Sequence, residues 1–142
     1  MAVTNITTTR TITSIASLPA MRVDTLSAAT TLEESDNNTS YTLNDAAGHD
    51  ITLPALKDGL RFRFTIGAAF ATSNWRIVSP VATKFEGSVI VAGAVVAVTS
   101  QTFVRFKVPA ESIGDFVEVQ CDGSNWHVFG NGAIAASIDA ST

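Results

Sequence analysis

Leu60-Arg61-Phe62-Arg63-Phe64-Thr65-Ile66 decides the fold class. Leu60, Phe62, Phe64 and Ile66 recur at every second position, and Arg61, Arg63 and Thr65 fill the gaps. Successive side chains of a strand point to opposite faces. Period two therefore sends the four apolar residues into a core and the other three toward solvent or a partner. The pattern returns at Phe103–Val108, where Phe103, Val104 and Phe106 frame Arg105 and Lys107 follows. It returns again at Phe116–Val119, with Glu118 between Val117 and Val119. Further strands are read at Asp24–Thr31, Thr39–Leu43, Asp50–Leu53, Trp75–Ser79, Gly87–Val91, Ala94–Thr99 and Trp126–Phe129. Turn-forming clusters separate them: Glu34–Asn38, Asn44–Gly48, Asp58-Gly59 and Asp122–Asn125. Strands recurring every ten residues or so predict an all-β fold, an antiparallel sandwich or barrel-like domain. Val89–Val98 is too long for an ordinary strand and is read as a hairpin turning at Ala92-Gly93. Only Ser27–Glu34 and Ala110–Ile113 have room for a helical turn.

The two ends differ from the middle. Residues 1–24 form an expected N-terminal arm, 25–132 the β-domain, and 133–142 a C-terminal tail. The arm is rich in Thr and Ser, with sparse apolar residues at Ile6, Ile12, Ile15 and Leu18. The tail is small-residued and carries Ile134 and Ile138. Neither stretch has enough apolar surface to bury alone, so these six residues are candidate contacts to a protein shell or a neighbouring subunit.

Composition narrows the function. The 142 residues are 46% hydrophobic and 15% charged, against about 25% charged in an ordinary soluble domain. Eighteen Thr and thirteen Ser supply much of the polar surface. Nine Lys+Arg stand against thirteen Asp+Glu, for a net charge of −4, which argues against a nucleic-acid partner. Disorder as the main state needs low hydrophobicity and high net charge, and neither is present. The single Cys121 excludes a disulfide framework and a four-thiolate zinc site. The N-terminus lacks a basic start followed by an apolar run, so no signal peptide is read. The apolar stretch Val89–Val98 is about half of what a membrane helix needs, and no membrane partner is expected.

Catalytic patterns are sparse. Two histidines, His49 and His127, are the only candidate imidazole bases. Cys121 and His127 flank one hairpin, a weak pattern for a thiolate–imidazole pair. Glu33, Glu34 and Asp36 cluster among Ser and Asn and read as a solvated turn rather than an acid pair or a calcium loop. No Gly-x-Ser-x-Gly elbow, phosphate loop, dinucleotide fingerprint or His-Glu-x-x-His occurs. The expectation is a non-enzyme without cofactor or metal. Arg61 and Arg63 share one strand face, and Arg105 and Lys107 share another. Were the strands neighbours, the four would form a positive patch for an acidic partner.

Two segments carry a family resemblance. Thr39–Pro54, TSYTLNDAAGHDITLP, is similar to a motif of tailed-bacteriophage virion proteins. There a strand, a Gly-containing turn and an I-T-L-P strand precede a G-x-x-F-x-F strand, here Gly59–Phe64. Gly114–Gly130 resembles the strand, D-G-x-x-W, strand, G ending of phage capsid decoration (cement) proteins and of some tail-fibre modules. The resemblance spans about Leu26–Gly132 and leaves both ends outside. It implies a non-enzymatic virion protein on the capsid surface, bound to the major capsid protein and to copies of itself, often as a trimer. The alternative is a tail-fibre or receptor-binding module for host glycans, with Tyr41, Trp75 and Trp126 as its stacking surface.

Overall fold

The computed structural model describes residues 21–142. They form twelve strands: β1 (Arg22–Leu26), β2 (Thr30–Thr31), β3 (Thr39–Leu43), β4 (Asp50–Thr52), β5 (Arg61–Ile66), β6 (Trp75–Val78), β7 (Phe85–Val91), β8 (Ala94–Gln101), β9 (Phe103–Phe106), β10 (Phe116–Cys121), β11 (Trp126–Gly132) and β12 (Ile138–Ser141). A short 3-10 turn at Glu34–Asp36 occupies part of the acidic cluster, closed by a reciprocal capping box between Glu33 and Asp36.

The strands build an all-β sandwich. A seven-stranded sheet has the order β1-β3-β5-β10-β11-β7-β8, and a five-stranded sheet the order β12-β9-β6-β4-β2. The sheets are mixed rather than purely antiparallel. From β1 to β6 the chain alternates between them, one strand in each. Each full circuit returns in the same direction, so β1, β3 and β5 pair in parallel, as do β2, β4 and β6. The later strands close the sandwich. β7 and β8 form the hairpin expected at Ala92-Gly93, where both turn residues have positive φ, as a two-residue turn between twisted strands demands. The β10–β11 hairpin fills the gap between β5 and β7.

The alternation read in the sequence is what the sheets bury. Phe62, Phe64 and Ile66 of β5 face Ile51, Trp75, Ile77, Val104 and Phe106 of the smaller sheet, all essentially inaccessible. Each such side chain contributes about 1.5–3 kcal/mol by leaving water. The segment read as one strand, Asp24–Thr31, is two: it turns the corner between the sheets.

The C-terminal tail corrects an expectation. Ile138–Ser141 is β12, antiparallel to β9, and the backbone of Ser137 and Ser141 accepts hydrogen bonds from Lys107 and Thr102. Ile138 is 1% exposed and completes the chain's own core. It is therefore no peg for a neighbour, whereas Ile134 is 48% exposed. The sequence pattern misled because a four-residue strand buries a single large side chain. Ile6, Ile12, Ile15 and Leu18 lie outside the described residues.

Candidate interaction surface

The outer faces of the two sheets carry different chemistry. On the five-stranded sheet, register aligns Asp50, Arg76, Arg105 and Asp139 in one row across four strands. Arg76 pairs with Asp50 through two contacts, 2.6 and 2.5 Å. Arg105 donates to both oxygens of Asp139, at 2.5 and 2.9 Å, and Lys107 adds a contact to Asp139 at 3.3 Å. These carboxylate hydrogen bonds push both guanidinium pKa values up. Phe103 lies beside both arginines, 5.3 and 5.5 Å from their Cζ atoms. A shallow recess of about 500 Å³ opens beside this row, lined by His49, Asp50, Ser73, Arg76 and Arg105 among others. Its two guanidiniums already hold carboxylates, so it presents no free positive charge.

The four basic residues do not form one patch. Arg61 and Arg63 stand on β5, whose neighbours are β3 and β10. Arg105 stands on β9, beside β6 and β12, in the other sheet, and Lys107 directly follows β9. The inner faces of both sheets meet in the core, so the two pairs project from opposite sides of the sandwich. Each has its own acid. Arg61 and Arg63 share Glu118, at 2.6 and 3.6 Å. Arg105 and Lys107 share Asp139. Acidic partners that the sequence separates from them by 32 to 57 positions neutralise them.

The outer face of the seven-stranded sheet is half charged and half apolar. Arg61, Arg63, Glu118 and His127 occupy the charged half. The other half holds Phe116 and Phe129, 6.0 Å apart between ring centroids, and continues past Asn131 through Ile90 to Val95. Phe129 is 54% exposed, and Val95 and Ile113 are each 73% exposed. Arg63 packs its guanidinium 3.9 Å from the Phe116 ring and marks the boundary between the halves. Next to Phe116, a second recess is lined by Ile113, Asn131 and Ala133. The sequence reading missed this surface. Its signal was present in the parity of β10 and β11. Phe116 falls in step with Glu118 and Gln120, and Phe129 with His127 and Asn131, so both aromatics had to face outward.

The remaining candidates separate cleanly. Cys121 is buried, opposite Trp126 in the β10–β11 ladder, while His127 projects from the other face. They do not meet. His127 instead contacts Asp122, Nε2 to Oδ2 at 2.7 Å. The amides of Ser124 and Asn125 donate to Asp122 Oδ1 at 2.8 Å each. The imidazole first, then the two amides, hold the Asp122 carboxyl well below the usual carboxylate range. This arrangement caps a turn. Trp75 and Trp126 are fully buried and Tyr41 is 3% exposed, so the three aromatics of the glycan reading offer no stacking surface. Burial, and then the Asp36 charge, push the Tyr41 phenol pKa up. Among the described residues, no three His, Cys, Asp or Glu side chains converge as metal ligands would. No helix there is long and apolar enough to cross a membrane.

No family model, curated protein or solved structure matches the chain.

Proposed function

We propose that the chain is a non-enzymatic virion structural protein that binds the outer surface of a phage capsid, as an oligomer, and stabilises the shell. The supporting observation is the apolar half of the large sheet's outer face. Phe116, Phe129, Ile90, Val95 and Ile113 form an exposed to half-buried apolar strip, interrupted by Asn131 between Phe116 and Ile90, on a protein with few charged residues. Such a strip has a standing cost in water and is characteristic of a surface covered by another protein. Phe129 and Phe116 are suited to anchor it, because large aromatic side chains dominate the energetics of protein interfaces. The neighbouring Arg61–Glu118–Arg63 cluster would form a polar rim. The resemblance to decoration proteins supplies the partner, the major capsid protein, and the location, the capsid exterior.

The test is co-sedimentation with empty capsids of the phage that encodes the chain. Phe129→Glu places a charge in the centre of the strip at an already exposed position, so the fold should survive. Binding should fall by roughly a hundredfold or more, as loss of an aromatic anchor does. Undiminished binding would move the contact elsewhere. Deleting residues 1–20 measures the separate contribution expected of Ile6, Ile12, Ile15 and Leu18.

A further inference from the structure

The two sheets have four edges, and three are blunted. β1 carries Arg22 and Asp24 in the rows of Thr39 and Tyr41, which point inward. Inward-facing charge on an edge strand discourages another strand from adding there. β2 is only two residues long. β12 is short, four residues, and carries the paired Asp139. β8 is the exception. It is the longest strand, eight residues, and it closes the seven-stranded sheet. No charged residue lies between Glu86 and Arg105. Its far end is irregular: the register against β7 shifts at Thr99-Ser100, Ser100 has φ +52, Glu86 accepts the Ser100 amide, and Gln101 caps the Thr99 carbonyl. Ala94–Val98 remains a regular, uncharged edge, exposed or half-buried but for Val98. Among the described residues nothing pairs with it beyond β7.

The hairpin fixes which backbone groups are free. In a two-residue hairpin the residues flanking the turn, Val91 and Ala94, form a hydrogen-bonded pair, and bonded pairs alternate from there. Ala94, Val96 and Val98 therefore bond to β7. Val95 and Ala97 direct their N–H and C=O groups away from it, ready to bond a further strand.

We propose that this edge is a self-association site. Two copies pair β8 with β8, antiparallel about a two-fold axis, and join their seven-stranded sheets into one. A second copy is the partner that fits. A two-fold axis sets the same patch against itself, so the edge must complement its own chemistry. Val95-Val96-Ala97-Val98 does so: it brings no like charges together, its β-branched residues favour extended backbone, and it matches its own length. The row from Phe116 past Asn131 and Ile90 to Val95 then runs on into the second copy, which sets a neighbouring side chain against the flank of Val95. Copies joined this way give an even-numbered assembly, in place of the trimer that the resemblance implies. The pairing stands on the edge geometry and does not depend on capsid binding.

The test measures molar mass by light scattering across a concentration series, and amide exchange at Val95 and Ala97. Wild type should have twice the mass of one chain, with both amides slowed. Ala97→Lys and Val95→Lys each place a cation on the outer side of the edge without touching a buried side chain. Each should raise the dissociation constant by roughly tenfold or more and speed exchange at the edge. Fluorescence of the buried Trp75 and Trp126 reports whether each variant is folded, and the second variant serves if the first is not. A monomeric wild type, a trimer indifferent to both lysines, or amides exchanging as fast as an open edge would overturn the proposal. Capsid binding by a monomer would overturn it while leaving the capsid reading intact. A β8-dependent dimer that ignores capsids would do the reverse.

Discussion

Ile138→Ala and Ile134→Ala should part company. The two residues lie four apart in a short, weakly polar tail, and the sequence offers no reason to separate them. Ile138 is 1% exposed against β9 in the core, and Ile134 is 48% exposed. Truncating Ile138 removes three carbons from a packed site. At roughly 0.8 kcal/mol per buried methylene this is about 2.4 kcal/mol before any cavity term. The cavity left where the surroundings fail to collapse adds to it, within the range of about 2–5 kcal/mol that such truncations span. Ile134→Ala should stay within about 0.5 kcal/mol of wild type, as exposed substitutions do. Urea unfolding followed by Trp75 and Trp126 fluorescence is a suitable assay, because both indoles are fully buried and report on both sheets. The midpoint should fall for Ile138→Ala with an unchanged slope. If Ile138→Ala kept wild-type stability and lost only capsid binding, β12 would not be part of the core, and the tail would be an external arm.

Other perturbations probe the outer faces and the turns. Asp139→Ala strips the counter-charge from Arg105 and Lys107 and leaves Arg105 beside Arg76. A destabilisation of about 1 kcal/mol or less is expected, shrinking as salt is added, which urea unfolding at two ionic strengths would show. Asp122 has a folded-state pKa below its unfolded value near 3.8. Its contribution is therefore full above the unfolded pKa and is lost as pH falls through the folded one. Thermal melts below about pH 4 should show wild type losing stability that Asp122→Asn has already lost at neutral pH. Gly87 has φ +133, and a Cβ there would sit 2.3 Å from the Val128 carbonyl oxygen. Gly87→Ala should cost roughly 1–3 kcal/mol in strain alone, on top of that clash, and calorimetry should register a lower melting temperature.

Strand identity was legible because it is a local property. Period two in Leu60–Ile66 and the turn residues at Ala92-Gly93 act over a few positions, and the sheets keep them. Strand order was not legible, because it depends on pairings between distant segments. The parallel circuits of β1 to β6 leave no local mark, so the sheets read as antiparallel. The same gap separated Arg61 from Arg105. Each strand face was identified correctly, but its neighbours, Glu118 and Asp139, come from strands joined only by the topology. The tail failed for a thermodynamic reason. A four-residue strand is too weak to announce itself by propensity and forms because β9 offers a ready edge. Phe116 and Phe129 were in reach by parity, but aromatic residues in strands are so often core that their outward step is easily passed over.

Amide hydrogen exchange on the chain alone and bound to empty capsids tests the outer-face strip as a capsid contact. New protection should appear on the outer-face strip, in β10 and β11 around Phe116 and Phe129 and in the Ile113 loop, with the Asp50–Arg76–Arg105–Asp139 face unchanged. Protection confined to that charged face, or none anywhere at saturating capsid, would contradict it.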